Sequence, residues 1–289
     1  MKKNTISSLN EYLTYIDQIK DNYTPPLDIK NPIDNSFLFR GMSNEAYHLL
    51  PGVFRSEAKG IMTYTMYADE IVLLKVFIQE ASAYLSIPSN DYARWAEYAQ
   101  HFGVPTRFLD WSNNPLVALY FCCKNNFNVP GTVWVLNQAN YERNFIVQQP
   151  SSSLTPQKTR LTIVQELFEG KSELVYPIVY TPSYVDPRMS AQGSYFMVWG
   201  NKHEPLDKIL DQDIYEMLLY PQRSPDPTSD SEEKACLLQF SIPANSKKKI
   251  LRSLDNIGIN EKTLFPGLDG IGRYIESKFK FDINDFSKF

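Results

Sequence analysis

The chain has 289 residues, of which 43% are hydrophobic, enough for one large core or two modest ones. Its formal net charge of −4 argues against a protein that coats nucleic acid, because such proteins need a basic excess. The N-terminal stretch lacks the apolar core of a signal peptide, no segment approaches the ~18 apolar residues of a membrane span, and the three cysteines show no disulfide spacing. These features predict a cytoplasmic protein without a membrane partner.

The predicted elements alternate irregularly between helix and strand. Apolar residues recur at helical spacing over about residues 1–20 and 64–85, with a short strand at 37–40 between them. A further helix begins near Asp91 and ends at Gly103, which can adopt left-handed backbone angles.

The next helix has Asn114 as its cap and Pro115 in its first turn. The later segments with strand character are GTVWVLN, ELVYPIVYTP, SYFMVWG and ACLLQFSIP. The later segments with helical character are EPLDKILDQDIYEMLL, NSKKKILRSLDNIGI and LDGIGRYIESKF. This irregular order predicts an α+β fold of mixed sheets with surrounding helices.

The densest group of chemically capable side chains lies within residues 95–121. Its members are His101, Thr106, Arg107, Asp110, Trp111 and Ser112. Ser112 lies just before the helix that starts near Asn114, where unpaired backbone N–H groups favour the binding of an anion. The structural alternative is an internal ion pair between Arg107 and Asp110, with Ser112 as a cap and His101 as a helix-end residue. No metal site is predicted, because none of the three histidines has a suitably spaced ligand partner.

A fixed positive charge at the end of an apolar strand raises a separate question. Arg40 and Gly41 directly follow Phe37-Leu38-Phe39, and a buried arginine is costly unless an anion pairs with it. The anion is either a bound ligand or an internal carboxylate such as Asp110 or Asp269.

Four segments, FLFRG, LLPGVFR, AQHFGVPTRFLDWSNNPLVALYF and TLFPGLDGI, resemble the bacterial FRG-domain family, named for its Phe-Arg-Gly triplet. We therefore expect a single FRG-type domain over 1–289, with an FRG core at about 36–200, a mobile proline-rich loop at 221–233 and a C-terminal strand and helices at 234–289. The resemblance implies a toxin role or a role in anti-phage defence.

The order of motifs also resembles, more distantly, the arginine-class ADP-ribosyltransferases, in which an Arg at a strand end holds NAD. That resemblance implies that Arg40, Gly41, Arg107, Trp111 and Ser112 contact NAD as the substrate. The acceptor would be a protein or a nucleic acid.

The third motif of those enzymes is a glutamate that stabilises a cationic transition state, and here the matching segment offers Gln192. Another acid, Asp110 or Glu204, could take the role, the enzyme could be slow, or the protein could bind a nucleotide without turnover. A weaker hypothesis is a hydrolase or nuclease in which His101 is the general base with Asp110 behind it. Arg188 could reach a phosphate or be an ordinary strand-edge arginine. The run Lys247–Lys249 is interpreted as a solvated helix face, with a contact to nucleic acid or a protein partner as the alternative.

Overall fold

The computed structural model describes residues 3–21, 37–55, 66–146, 159–211 and 236–286. Within these ranges it combines helices with a mixed sheet, which confirms the predicted α+β class. The loop predicted at 221–233 lies outside the described residues. No helix in the described ranges is long and apolar enough to cross a membrane.

The described strands form one seven-stranded sheet in the order β1-β7-β4-β2-β3-β6-β5. In chain order they are β1 Lys3–Thr5, β2 Phe37–Met42, β3 Phe108–Ser112, β4 Gly131–Asn137, β5 Ile178–Tyr180, β6 Ser194–Val198 and β7 Leu237–Ile242. β1 and β7 are parallel, and all other neighbours are antiparallel.

Helices surround this sheet. They are α1 Leu9–Asp21, α2 Met66–Ala81, α3 Tyr92–His101, α4 Pro115–Cys123, α5 Gln138–Tyr141, α6 Arg160–Phe168, α7 Pro187–Ala191, α8 206–211, α9 Ala244–Asn256, α10 Glu261–Leu264 and α11 Leu268–Phe286. Two further turns, Gly52–Phe54 and Glu142–Ile146, have 3-10 and π geometry. The predicted helix boundaries are confirmed where their signals are local: Asp91 caps α3, Gly103 has φ +84° and Asn114 caps α4.

The sheet has few inter-strand residue pairs at its centre, between β2 and β3. β2 pairs with β4 along its whole length, whereas it pairs with β3 at a single position, Phe39 opposite Ser112. Beyond that position the two strands diverge, and the backbone groups of β3 no longer pair with β2. The half with β1, β7, β4 and β2 is thus joined to the half with β3, β6 and β5 through a short seam.

Successive residues of β2 contribute to two cores on opposite faces of the sheet. Phe37 and Phe39 pack with α1, α4 and α9, whereas Leu38 and Met42 pack with α2, α3 and α6. Side chains alternate across a strand. Arg40 therefore leaves the sheet on the same face as Leu38 and Met42, towards α3.

Gly41 lies on the other face, where α4 approaches the strand closely. A Cβ atom at this position would lie 1.7 Å from the carbonyl oxygen of Ala118 and 2.6 Å from the backbone nitrogen of Cys122. Real side chains do not approach backbone atoms this closely. Glycine next to Arg40 is therefore required by the contact between β2 and α4.

We expect Gly41→Ala to lower the free energy of unfolding by about 1–3 kcal/mol, because α4 must move away from β2. Chemical denaturation measures this change. Gly272→Ala is the matched control, since nothing lies within 4 Å of a Cβ there and alanine suits the interior of α11. Equal stability of Gly41→Ala and the wild type would contradict this account of the glycine.

The interpretation of Lys247 as a surface residue is wrong. Its side chain is fully buried, and its Nζ donates to the carbonyl oxygens of Ser43 at 2.6 Å, Asn126 at 2.9 Å and Asn125 at 3.3 Å. Burial lowers the pKa of Lys247. Lys247, in the first turn of α9, therefore hydrogen-bonds to carbonyl oxygens of two loops and links them.

Candidate active site

A cavity of about 340 Å³ lies against the seam between β2 and β3. This volume is at the lower end of the ~300–1,000 Å³ range of small-molecule sites. Seven of the site residues predicted from the sequence line the cavity. Those residues are Arg40, Gly41, His101, Asp110, Trp111, Ser112 and Gln192.

Arg40 forms the centre of the cavity wall. Its Nη1 donates to the backbone carbonyl of Asp110, one of the β3 groups that the divergence of the strands leaves available. The Nε atom is buried and has no hydrogen-bond partner among the described residues. The side chain is 17% exposed, and burial lowers the pKa of Arg40, an effect that the charge of Asp110 opposes.

The Asp110 carboxylate neutralises Arg40 only partly. It lies 3.8 Å from Nη1 of Arg40, and the Asp110 side chain is 58% exposed, so the pair is loose and faces solvent. Gln100 also donates to this carboxylate, at 3.4 Å. The internal ion pair that the sequence left open is present, yet a cavity remains in front of the guanidinium.

Ser112 and Gln192 connect the cavity to the turn between α7 and β6. The Ser112 hydroxyl donates to the backbone carbonyl of Gln192 at 2.6 Å and accepts from the backbone N–H of Asn114 at 3.0 Å. The side-chain Nε2 of Gln192 donates to the carbonyl of Leu264 at 2.9 Å. One of its two amide N–H donors is thus used, which leaves the other N–H and the amide oxygen for a ligand.

His101 pairs with a different acid from the one predicted. Its Nε2 lies 3.3 Å from the carboxylate of Asp186, so the idea that Asp110 stands behind this histidine is wrong. Asp186 caps α7 and also lies 3.7 Å from Nε of Arg188. This pairing could not be predicted from the sequence, because Asp186 is 85 positions away from His101.

Arg107 lies outside the cavity, in the core. Its guanidinium is fully buried against Glu70, with Nε 2.8 Å and Nη2 2.7 Å from Oε2 of Glu70, and its Nη1 donates to the carbonyl of Trp199. The Arg107 backbone N–H donates to the other oxygen of Glu70 at 2.7 Å. The predicted internal ion pair of Arg107 therefore exists, with Glu70 in place of Asp110. Glu204, one of the acids suggested in place of Gln192, also does not line the cavity.

The aromatic walls of the cavity differ from those expected. Trp111 is 2% exposed and packs in the core, which leaves little of its ring to stack on a ligand. The half-buried rings at the cavity are Phe121 and Phe265, which contact each other edge to face at 6.1 Å. Phe265 belongs to the segment TLFPGLDGI, which resembles the FRG family. That resemblance was the signal that could have assigned Phe265 to the site.

Within the described ranges, no group of three or more His, Cys, Asp or Glu side chains could hold a metal ion. Residues 35–129 match the family model of the FRG domain. No curated protein and no solved structure matches the chain significantly. The matched range includes β2, α3, β3 and α4, and it ends before α7 and Gln192. The cavity residues between Phe39 and Phe121 thus lie inside the matched range, and those between Arg188 and Phe265 lie outside it.

Proposed function

Because the chain contains an FRG domain over residues 35–129, we propose that the cavity beside Arg40 binds NAD and that the protein is an ADP-ribosyltransferase-like enzyme. The observation that carries this proposal is the buried Nε of Arg40, which has no partner among the described residues and belongs to a cavity wall. A buried donor without a partner costs about 1–3 kcal/mol. A phosphate or ribose oxygen would satisfy it with a charge-assisted hydrogen bond.

The transfer reaction breaks the bond between the ribose C1′ and the nicotinamide nitrogen. Nicotinamide leaves with the electron pair, the ribose becomes oxocarbenium-like, and an acceptor on a protein or nucleic acid attacks C1′ and loses a proton. Asp110 is the exposed carboxylate on the cavity wall that can stabilise the cationic ribose. His101, oriented by Asp186, is the group suited to take the proton from the acceptor.

One observation favours a second candidate, a module that binds a nucleotide without turnover. Gln192 supplies a neutral amide at the position where the resembling enzymes have a glutamate, and the bond to Leu264 fixes that amide. An amide can hold a ribose hydroxyl, but it cannot provide the negative charge. Release of nicotinamide from bound NAD distinguishes the enzyme from the module.

The cellular setting belongs to the same proposal. We place the protein in the cytoplasm, since its three cysteines are buried and form no disulfide, and in a bacterium, since the family it resembles is bacterial. The family resemblance connects such a protein with toxins and anti-phage defence. Loss of growth arrest or of phage protection in the Arg40→Ala strain would support that role.

We expect Arg40→Ala to weaken NAD binding by ~10- to 100-fold, because the variant loses the charge-assisted hydrogen bonds between the guanidinium and NAD. Arg40→Lys should retain part of the affinity through its charge. Isothermal titration calorimetry with NAD measures both, and labelled NAD with cell lysate reports transfer and nicotinamide release.

Arg160→Ala is the matched control. Arg160 also pairs with a carboxylate, that of Glu142 at 3.1 Å, and also has a buried nitrogen without a partner among the described residues, but it does not line the cavity. Its substitution should leave NAD affinity unchanged. Wild-type affinity in folded Arg40→Ala, or no binding of NAD to the wild type, would overturn the proposal.

A further inference from the structure

A second cavity adjoins the first. It has a volume of about 250 Å³ and lies between Arg188, Arg273 and residues 265–270. Arg188 and Phe265 line both cavities, so the two spaces share one boundary. The segment TLFPGLDG, which lies far from the matched FRG range in the sequence, forms most of the second cavity.

The boundary between the cavities is held firmly in place. Phe265 contacts Phe121 edge to face, and Lys124 and Arg273 lie over its ring at 4.6 Å and 5.1 Å. Arg273 is in turn fixed by Glu261, whose Oε1 accepts from Nε of Arg273 at 2.7 Å. These contacts fix the position of the Phe265 ring at the boundary between the cavities.

Arg188 provides a positive charge at the same boundary. Its side chain is 37% exposed, and its nearest carboxylate, that of Asp186, is 3.7 Å from Nε and also serves His101. A guanidinium in this position can bind a phosphate with its outer nitrogens. Asp269 lines the second cavity but not the first and would repel a phosphate near it, which favours a phosphate at Arg188.

We propose that the two cavities bind the two halves of one dinucleotide, with its diphosphate at Arg188 and the adenosine half in the second cavity. This inference rests on the proposed function. The nicotinamide half belongs in the first cavity, where Asp110, His101 and Gln192 lie. The first cavity alone is small for a dinucleotide. Leu268, which is 86% exposed at the second cavity, gives the adenine an apolar surface to cover.

Leu268→Asp tests the second cavity without disturbing the fold, because Leu268 is exposed and an acid is favourable in the first turn of a helix. We expect it to weaken NAD and ADP-ribose binding by ~10- to 100-fold and to leave the affinity for nicotinamide mononucleotide unchanged. Ile275→Asp is the matched control, since Ile275 is 62% exposed on the same helix and lines neither cavity. It should change none of these affinities.

Arg188→Ala tests the boundary. We expect it to weaken NAD by ~10- to 100-fold while nicotinamide riboside, which has no phosphate, binds as it does to the wild type. If the wild type binds NAD through Arg40 but Leu268→Asp and Arg188→Ala bind it equally well, the second subsite is overturned and the proposed function stands. If the wild type binds none of these ligands, both are overturned.

Discussion

Arg107→Ala should lower the free energy of unfolding by about 3–5 kcal/mol, because it leaves the carboxylate of Glu70 buried without its cation. Glu70 is 1% exposed, and Arg107 is fully buried between this carboxylate and the ring of Phe168, which lies 5.5 Å from the guanidinium carbon. Solvent cannot compensate for the lost charge. Urea or guanidinium denaturation followed by circular dichroism measures the change.

A double variant separates the charge effect from lost packing. Arg107→Ala with Glu70→Gln leaves the same cavity as Arg107→Ala but removes both charges, and the glutamine keeps an oxygen for the backbone N–H of residue 107. Because an unpaired buried charge is costly, this variant should be more stable than Arg107→Ala alone. It should also bind NAD as the wild type does, because Arg107 lies outside the cavity. Equal destabilisation of the single and double variants would show that volume, not charge, determines the loss.

The sequence predicted those parts of the fold whose signals lie within a few residues of each other. The Asp91 carboxylate accepts from the backbone N–H of Arg94, and the Asn114 side chain accepts from that of Leu116. Both caps could be predicted directly from the amino-acid sequence. The strand β4 was predicted for the same reason, because β-branched and aromatic residues follow one another behind a glycine.

Features that depend on contacts between distant residues could not be predicted in this way. The partner of Arg107 is 37 positions away, and the partner of Gln192 is 72 positions away. The three-residue strand β1 exists because it pairs with β7 near the other end of the chain. Lys247 reads as part of a basic surface run, and only the two loops beneath α9 make it a buried residue.

The candidate site shows the same division. One wall consists of cavity residues between Phe39 and Phe121, which come from two short sequence motifs and were predicted from them. The opposite wall consists of α7, the turn at Gln192 and the ring of Phe265, which the fold brings to β2 and β3. Gln192 and Phe265 therefore lie outside the FRG match, whereas His101 and Asp110 lie within it.

Under the proposed function, we expect Gln192 to limit the rate of the reaction. A unit charge at ~4 Å from the cationic ribose contributes about 4 kcal/mol at an effective dielectric constant of 20, which corresponds to roughly a thousandfold in rate. A carboxylate here would lose the hydrogen bond to the Leu264 carbonyl, at a cost of about 1–3 kcal/mol. The net gain of about 1–3 kcal/mol leads us to expect Gln192→Glu to increase nicotinamide release from NAD by ~5- to 150-fold.

Single-turnover assays with labelled NAD measure this increase independently of product release. Gln100→Glu is the control, since Gln100 also lines the cavity but donates to Asp110, so the same added charge would repel that acid. It should not accelerate the reaction. If Gln192→Glu binds NAD normally and its turnover equals that of the wild type, Gln192 does not face the reacting ribose. The neutral amide would then have no part in limiting catalysis, and the charge that stabilises the transition state would have to come from Asp110, the exposed carboxylate already beside Arg40.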